Sequence, residues 1–577
     1  MLDASAALAG AAFLLVTVYL ALLVHLRVVT QDPREPPLVE TRLPYITPLL
    51  NLVNARYFSR IRRSKHPDLP IYTLRLPGTR IYVLNSTKLV ASTQRHPKNF
   101  TFQAIQDKFA HLVCNLSPTA VEAQKREFHA WINGGTYVAS PSHAAFKELL
   151  PGKSLDDMNR KMVAALGREC DFWAGDGREG VERNLFEWVK EVVTVAVTEG
   201  VYGAANPYRR EEVRNHFWTY NAGVGKLSMG AGLGKLLARD SLQSRAYLAS
   251  IFQNYYSQNH HLDASGLTFQ RYAWHRSRGF SLLDTSNMEV GHGIAILSNT
   301  VPTAFWLLVR IFSSPSILSA IRAELSPYIT TTTETTTIPP DEATTTATTV
   351  APVVVRRKTL DVSQITTTPH TACPLLHSTL KETMRVHGKG VGVRGVLHDH
   401  VLDGKYLLRA NSIVLIPSTI QHFDPQNYGP DAAAFRHDRF AEADYDDGAD
   451  DDDGGAGQRR RPKKRLNGTA FRGFGGGSTL CPGRHFAVTG ILAFVAMVVC
   501  RFEVGPVVGG REEEGGTEGE WVVPSAEKAD LTKVMPCPDF DVRVRVRRRE
   551  GEEGVGWCWG FNGGGSENEG GGRGGGG

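Results

Sequence analysis

A glycine-rich stretch in the last quarter of the chain constrains the fold more than any other feature. It reads Phe471-Arg-Gly-Phe-Gly-Gly-Gly-Ser-Thr-Leu-Cys-Pro-Gly-Arg-His-Phe-Ala487, and an apolar helical run follows it. Because proline suits the first position of a helix, Cys481 is predicted at a helix N-terminus, where the helix dipole favours a thiolate. Glycines let the backbone approach a flat group closely, and a thiolate on such a loop is a good axial ligand for haem iron.

Four residues of this stretch resemble the haem-binding signature of the cytochrome P450 haem-thiolate monooxygenases. Phe474, Gly477, Cys481 and Gly483 stand in the spacing F-x-x-G-x-x-x-C-x-G. The resemblance implies that all four bind haem b (iron protoporphyrin IX), with Cys481 as the axial ligand of the iron. It also implies a mainly α fold with a small β region.

Two other interpretations of the cysteine loop stay open at this point. The first is a glycine-rich turn that holds an inert buried cysteine. The second is a regulatory haem site of the Cys-Pro type, a dipeptide found at Cys373-Pro374, Cys481-Pro482 and Cys537-Pro538. Such a protein would bind haem without catalysis.

Composition excludes several classes of protein. The 577 residues allow one large domain with appendages, or two to four domains. The net charge is only +6 and is spread along the chain, whereas a nucleic-acid-binding protein concentrates basic residues in a patch. Seven widely spaced cysteines without a C-x-x-C pair argue against a disulfide scaffold or a zinc ribbon.

The N-terminal region is the candidate membrane anchor. Residues 4–26 are almost wholly apolar, and roughly 20 such residues span a bilayer. Basic residues follow the run and none precedes it, which places the bulk of the protein in the cytosol. We therefore expect residues 1–29 to form a single-pass anchor in the endoplasmic reticulum membrane. A cleaved signal peptide is the alternative, although the run lacks a basic n-region.

A long apolar run over residues 291–310 is predicted to form a kinked helix. Pro302 cannot donate a hydrogen bond to the carbonyl of Ser298, so the helix should open there. The P450 family usually carries an acid-threonine pair at this place, which relays protons to oxygen. Here Asn299 and Thr300 stand instead, and the pattern resembles the branch with cholesterol 7-alpha-hydroxylase and prostacyclin synthase. Both residues are therefore candidate catalytic residues, and a buried core helix is the alternative.

Three charged residues match a structural triad of the family. Glu382 and Arg385 stand three residues apart on a predicted helix, where side chains are neighbours. Arg439, in the segment Phe435-Arg-His-Asp-Arg-Phe440, matches the arginine that joins this pair. The resemblance gives the triad a structural role, and buried charges of this kind must satisfy one another.

The resemblance also proposes a partner for the haem propionates. Arg394, in Gly392-Val-Arg394, matches a strand arginine that often meets a propionate, and a solvated strand arginine is its alternative. Two positions depart from the family pattern. Thr479 stands where many members carry a cationic propionate partner, and Trp131 lacks the arginine four residues later that completes the usual Trp-x-x-x-Arg pattern.

We expect one catalytic domain over residues 30–549, interrupted by two disordered insertions. The threonine-rich segment near 330–355 has no apolar face with which to order itself. The segment near 445–466 separates acidic from basic residues, as solvated loops do. The glycine- and glutamate-rich residues 550–577 are predicted to be a disordered tail. Within the domain, a β-hairpin is predicted over residues 71–84.

The function implied by the resemblance is that of a membrane-anchored monooxygenase. It would insert one oxygen atom from O2 into an apolar small molecule, such as a sterol, a lipid or a secondary metabolite. Electrons would come from NADPH through a partner cytochrome reductase. An isomerase or dehydratase acting on a peroxide or an oxygenated lipid would need no reductase, and it remains the alternative because Asn299 replaces the usual threonine.

Overall fold

The structure is a computed structural model of the chain. It describes residues 2–28, 31–39, 58, 61, 68–76, 78–134, 146–174, 180–228, 230, 232–336, 353–367, 372–441, 467–507, 520–529, 532–562 and 564–565. Helices predominate over these ranges and strands are few and short. The predicted fold class, mainly α with a small β region, is confirmed.

The helices run through the whole described chain, and short 3-10 turns connect several of them. In chain order they are α1 Leu2–Val28, α2 Thr87–Gln94, α3 Gln103–Leu112, α4 Pro118–Ile132, α5 Lys153–Ala174, α6 Leu185–Tyr202, α7 Glu211–Ala222, α8 Val224–Leu227, α9 Leu233–Leu237, α10 Arg239–Ser257, α11 Gly266–Ser277, α12 Leu282–Leu297, α13 Thr300–Phe312, α14 Pro315–Leu325, α15 Val362–Thr366, α16 Pro374–His387, α17 Ser418–His422, α18 Pro425–Tyr428 and α19 Arg484–Arg501.

The strands form small sheets beside the helical body. They are β1 Ile71–Leu76, β2 Thr79–Leu84, β3 Phe100–Thr101, β4 Val181–Asn184, β5 Ile329–Thr336, β6 Val353–Asp361, β7 Val391–Val396, β8 His400–Leu402, β9 Tyr406–Leu408, β10 Ile413–Pro417, β11 Phe502–Pro506, β12 Arg543–Arg548, β13 Gly556–Phe561 and β14 Gly564–Gly565. The described pairings give the orders β1-β2-β10-β7-β3, β11-β12-β4, β14-β13-β6-β5 and β8-β9. The predicted hairpin is β1 and β2, with Ile71 opposite Leu84.

The core lies between α19 and the helices packed around it. Leu492, Phe494 and Val498 of α19 are fully buried, as are Phe305 and Trp306 of α13. These helices are apolar on all sides because other helices cover every face. The ends of α13 and α19 that lie nearest the glycine-rich loop are thereby fixed in position.

The structure differs from the predicted disorder near 330–355 at both ends of that segment. β5 pairs with β6 in antiparallel register, with Thr336 opposite Val353. Threonine and valine are β-branched and suit paired strands, a propensity that the low complexity of the run conceals. Residues 337–352 lie outside the described residues, and so does the whole of the second predicted insertion, 445–466.

The predicted disordered tail is also wrong over its first part. β13 lies within it and pairs in parallel with β6, with Trp557 opposite Lys358. Trp557, Trp559 and Phe561 are buried in the main core. Alternating aromatic residues therefore order this segment despite the glycines around it. Residues 566–577 lie outside the described part of the chain.

Two described helical stretches have the length and hydropathy of a bilayer span, but both are largely core. They are Leu282–Phe312 and Arg484–Arg501, in which 72% and 78% of the apolar window is buried within the protein. α1 contains a shorter apolar stretch, Ala9–Val24. Several large side chains of this stretch are exposed, among them Phe13 and Leu15 by 75% and 71%.

Candidate active site

A large cavity lies between the glycine-rich loop and the junction of α12 with α13. It holds about 1570 Å³ of empty space, part of it open to solvent, and most of its lining is apolar. The cavity brings together six of the predicted site residues, which are Asn299, Thr300, Arg394, Phe474, Cys481 and Gly483. The sequence reasoning had placed them on separate elements, so their convergence is a property of the fold.

The loop around Cys481 is closed by its own backbone. The N–H of Cys481 donates to the carbonyl of Phe474 at 2.9 Å. The helix α19 begins at Arg484 with Gly483 as its N-cap, so the prediction that Pro482 is its first residue is wrong. Pro482 and Gly483 form a turn instead, because the tight loop needs two more residues before helical geometry begins.

Burial raises the pKa of the Cys481 thiol above its ordinary value. The N–H of Gly483 and the charge of Arg484 act in the opposite direction but do not outweigh burial. The protein by itself therefore favours the neutral thiol, contrary to the expectation from a helix N-terminus. A cation bound at the sulfur would reverse this preference, because its charge stabilises the thiolate directly.

Gly477 lies behind the loop and does not line the cavity. Its φ of +59° is one that residues with a side chain rarely adopt. A Cβ at this position would also lie 2.7 Å from Cγ of Gln94. The glycine therefore permits α2 to pack directly against the cysteine loop.

The predicted triad residues meet in a buried cluster beside the cavity. Arg385 donates two hydrogen bonds of 2.7 Å to the carboxylate of Glu382. Arg439 donates a third to the same carboxylate at 3.1 Å. Both guanidiniums also donate to backbone carbonyls of the segment 422–434. The cluster thus pins an irregular segment that passes behind the cysteine loop.

His422 connects this cluster to the cysteine loop, a role that the sequence reasoning did not assign. Its Nε2 accepts a hydrogen bond from the backbone N–H of Arg472 at 2.9 Å. Its Nδ1 must then carry the proton, which it donates to the carbonyl of Arg385 at 2.9 Å. Burial, and then the charge of Arg385, lowers the pKa of His422 to about 3, so the ring is neutral.

Two buried arginines lie on the cavity wall near the loop. Arg394, the predicted propionate partner, donates from Nη2 to the hydroxyl of Thr479. Arg472, which the sequence reasoning passed over, also lines the cavity. Each residue is 6% exposed. In the sequence, the only sign of a role for Arg472 is its positive charge within the glycine-rich stretch. Its burial cannot be predicted from a single residue.

The opposite wall is formed where α12 ends and α13 begins. The helix is interrupted at Ser298 and Asn299, as the missing N–H of Pro302 predicts. The side-chain oxygen of Asn299 accepts a hydrogen bond from the N–H of Met535 at 3.1 Å. This bond fixes the orientation of the amide and leaves its NH2 group as a donor. The hydroxyl of Thr300 donates to the carbonyl of Ile296 at 2.7 Å.

A buried carboxylate network at one end of the cavity was not predicted. Glu289 of α12 is fully buried and accepts hydrogen bonds from Tyr202 and Tyr256, both at 2.8 Å, and from Arg271. Burial alone would raise the pKa of Glu289, but the charge of Arg271 and the hydrogen bond from His292 hold it below its ordinary value. Arg271 and His292 line the cavity, so the network gives that end a polar surface.

The other Cys-Pro dipeptides do not form comparable sites. Cys373 is fully buried, and burial raises the pKa of its thiol to about 12. Cys537 is half-buried, and neither cysteine is among the described residues that line the cavity. Trp131 packs against Phe128 with ring centroids 5.7 Å apart and does not line the cavity either.

The residues of the cavity fit an iron porphyrin. Cys481 offers one sulfur on a loop whose glycines allow close approach. Arg394 and Arg472 offer two cations, while the described lining residues include no aspartate or glutamate. An apolar macrocycle with a metal at its centre and two carboxylates at its edge requires this combination of groups.

Comparison with known proteins shows which family this chain resembles. A model of the cytochrome P450 family matches residues 353–525. The chain is 29% identical over 510 residues to the cytochrome P450 monooxygenase nodJ of Hypoxylon pulicicidum, covering 88% of each chain. A solved structure, retinoic acid-bound cyanobacterial CYP120A1, matches with a TM-score of 0.57 and 16% identity over 89% of this chain and 99% of that chain. This structural match shows the fold alone.

The branch suggested by the Asn-Thr-x-Pro pattern is also found among the relatives. Cholesterol 7-alpha-monooxygenase of Cricetulus griseus is 26% identical over 210 residues, 36% of each chain. Prostacyclin synthase of Bos taurus is 27% identical over 289 residues, 49% of this chain and 47% of its own length. The predicted resemblance to cytochrome P450 enzymes of this branch is confirmed.

Proposed function

We propose that this chain oxygenates an apolar small molecule inside the cavity. The premise is that the chain carries a cytochrome P450 domain and is an enzyme of the P450 monooxygenase type. The observation that carries the proposal is the cysteine sulfur on one cavity wall, opposite an interrupted helix with a free amide donor. The apolar lining favours a sterol, a lipid or a secondary metabolite of similar polarity. The similarity to a fungal monooxygenase favours the last of these.

Haem bound at Cys481 would supply the activation of O2, and the protein would supply its placement. Cys481 would ligate the iron, and Phe474, Gly477 and Gly483 would shape the loop around it. Arg394 would bind a propionate carboxylate.

The two candidate catalytic residues would act through their hydrogen-bonding groups. The NH2 group of Asn299 would donate a hydrogen bond into the cavity, because its oxygen is engaged by Met535. Thr300 would act less directly, since its hydroxyl already donates to the helix carbonyl of Ile296. The hydrogen bond that shapes proton delivery would therefore come from the amide rather than from the hydroxyl.

A membrane anchor and a reductase complete the proposal. The exposed apolar side chains of α1 favour insertion into the endoplasmic reticulum membrane, with the catalytic domain on the cytosolic side. Electrons would come from NADPH through a cytochrome reductase. Removal of residues 1–28 should release the protein from membranes and leave its absorption spectrum unchanged. Continued membrane association of the shortened protein would contradict a single anchor at this position.

An isomerase or dehydratase is the second candidate. Asn299 at the usual threonine position favours it, and one relative of the branch is named prostacyclin synthase. Turnover separates the two functions. The test supplies NADPH, the reductase and 18O2 together with sterols, fatty acids and terpenoid or polyketide skeletons. A monooxygenase should consume NADPH and place 18O in a product. Conversion of a lipid hydroperoxide without NADPH or reductase would establish the second candidate instead.

A further inference from the structure

Arg472 is a buried cation that has no partner in the described part of the chain. Its backbone N–H is engaged by His422, but its guanidinium makes no hydrogen bond or ion pair with any described residue. The residue is 6% exposed and lines the cavity. A guanidinium carries five N–H donors, and burial without acceptors is costly.

The surroundings of Arg472 increase this cost. Burial, and then the charge of Arg394, lowers the pKa of Arg472 to about 10. The described lining residues include no carboxylate that would compensate the charge of Arg472. Two like charges near each other on an apolar wall disfavour one another, and an anion bound between them offsets both the repulsion and the cost of burial. The wall is therefore complementary to a ligand with one or more carboxylates.

The glycine loop is shaped to let Arg472 reach this position. A Cβ at Gly476 would clash with Nη1 of Arg472, so a side chain there would displace the guanidinium from its present position. The carbonyl of Gly476 accepts a hydrogen bond from Thr479 at 3.2 Å. The hydroxyl oxygen of Thr479 in turn accepts the bond from Arg394. Position 479 thus orients one arginine, and position 476 makes room for the other.

We propose that Arg472 replaces the cation that position 479 lacks and, with Arg394, binds the propionate carboxylates of the haem. The proposal rests on the proposed function, since it assumes haem in this cavity. It assigns Arg472 to cofactor retention. The apoprotein then holds an uncompensated charge that haem neutralises, so loss of Arg472 should weaken the holoprotein and spare the apoprotein.

The test compares haem retention with apoprotein stability in three variants. Arg472→Met should release haem to excess apomyoglobin about ten- to a hundredfold faster than the wild type, as expected for loss of charge-assisted hydrogen bonds. The melting temperature of its apoprotein should be unchanged or higher. Arg472→Lys, which keeps the charge, should release haem at an intermediate rate. Arg436→Met is the matched control, because Arg436 is exposed whereas Arg472 is buried. This variant should release haem at the wild-type rate.

Moving the cation gives the sharpest outcome. The double variant Arg472→Met/Thr479→Arg should recover most of the lost retention, because it restores a cation at the position that many family members use. Release at the wild-type rate from Arg472→Met, or a lower melting temperature of its apoprotein, would overturn the proposal. If the wild-type holoprotein lacks a thiolate-type spectrum, the proposed function fails. A normal spectrum with unchanged release from Arg472→Met refutes only the role of Arg472.

Discussion

The two walls of the cavity are held in place by opposite means. The loop wall, residues 471–483, is fixed from behind by hydrogen bonds that run from the buried carboxylate of Glu382 through Arg385 and His422. The helix wall, residues 292–303, is carried by the end of α12 and by α13, in which every side chain except Arg310 is buried. The hydroxyls of Thr300 and Thr303 each donate to the backbone carbonyl four residues earlier.

This difference separates structural from chemical roles. The groups behind the loop wall are fully engaged and shielded from water, so they position Cys481 but have no capacity left for substrate. On the helix wall, the NH2 group of Asn299 has no hydrogen-bond partner among the described residues. We therefore expect substitutions behind the loop wall to change stability and haem retention, and substitutions on the helix wall to change how electrons are used.

The largest effect is expected at the carboxylate behind the loop wall. Glu382→Gln keeps the shape of the side chain but leaves Arg385 with no counter-charge among the described residues, and Arg439 with only the half-exposed Asp431. The free energy of unfolding should fall by about 3–5 kcal/mol, measured by urea denaturation. Asp431→Asn is the matched control, since it removes a carboxylate from Arg439 at a site 36% exposed and should cost much less. Equal losses would show that the buried network does not hold this wall.

The next effect is a pH dependence that originates at His422. Its pKa in the folded protein is about 3, against 6.5 ordinarily, so the unfolded chain binds the proton first as pH falls. The stability due to the neutral ring is fully present above pH 6.5 and is lost as pH falls toward 3. Between those values, this residue should contribute about 1.4 kcal/mol of lost stability per pH unit.

His422→Asn isolates that contribution. The variant should be less stable at neutral pH, because the bonds to Arg472 and Arg385 are weakened. Its unfolding free energy should nevertheless fall less steeply below pH 6 than that of the wild type. Other buried histidines, such as His275 and His387, titrate in both proteins and cancel in the comparison. If the unfolding free energies of the two proteins fell in parallel with pH, protonation of His422 would not destabilise the folded protein.

The smallest change in stability is expected on the helix wall. Asn299→Leu removes the acceptor for the N–H of Met535 and should cost about 1 kcal/mol. With NADPH and reductase, it should raise the fraction of electrons released as hydrogen peroxide several-fold, because the amide donor is lost. Asn299→Thr should raise that fraction less, since a hydroxyl remains. An unchanged peroxide yield in Asn299→Leu would show that the amide of Asn299 does not govern how electrons are used.

The sequence predicted the residues of the two walls better than their surroundings. Spacing and chain order identified Cys481, Asn299 and the charged triad, because each belongs to a short local pattern. The burial of Arg472 and the link through His422 depend on contacts between distant segments, such as the bond between residues 422 and 472. Local patterns contain no information about such contacts.

Composition was misleading in two segments for a related reason. The threonine-rich β5 and the glycine-flanked β13 both pair with β6, a contact that their own composition does not reveal. Trp559 of β13 is buried in the core against Gly167, where a Cβ would lie 2.7 Å from its ring. Gly167, against which Trp559 packs, lies nearly 400 residues away in the sequence. Low complexity predicts weak local order, but it does not exclude pairing with a strand elsewhere.

The absorption spectrum of the reduced, carbon monoxide-bound protein tests the central claim most directly. Purified wild-type protein should contain one haem per chain and show the band of thiolate-ligated iron. Cys481→Ala should lose that band, whereas Cys373→Ala and Cys537→Ala should keep it. A histidine-type band in the wild type, or a thiolate band that survives Cys481→Ala, would contradict the account.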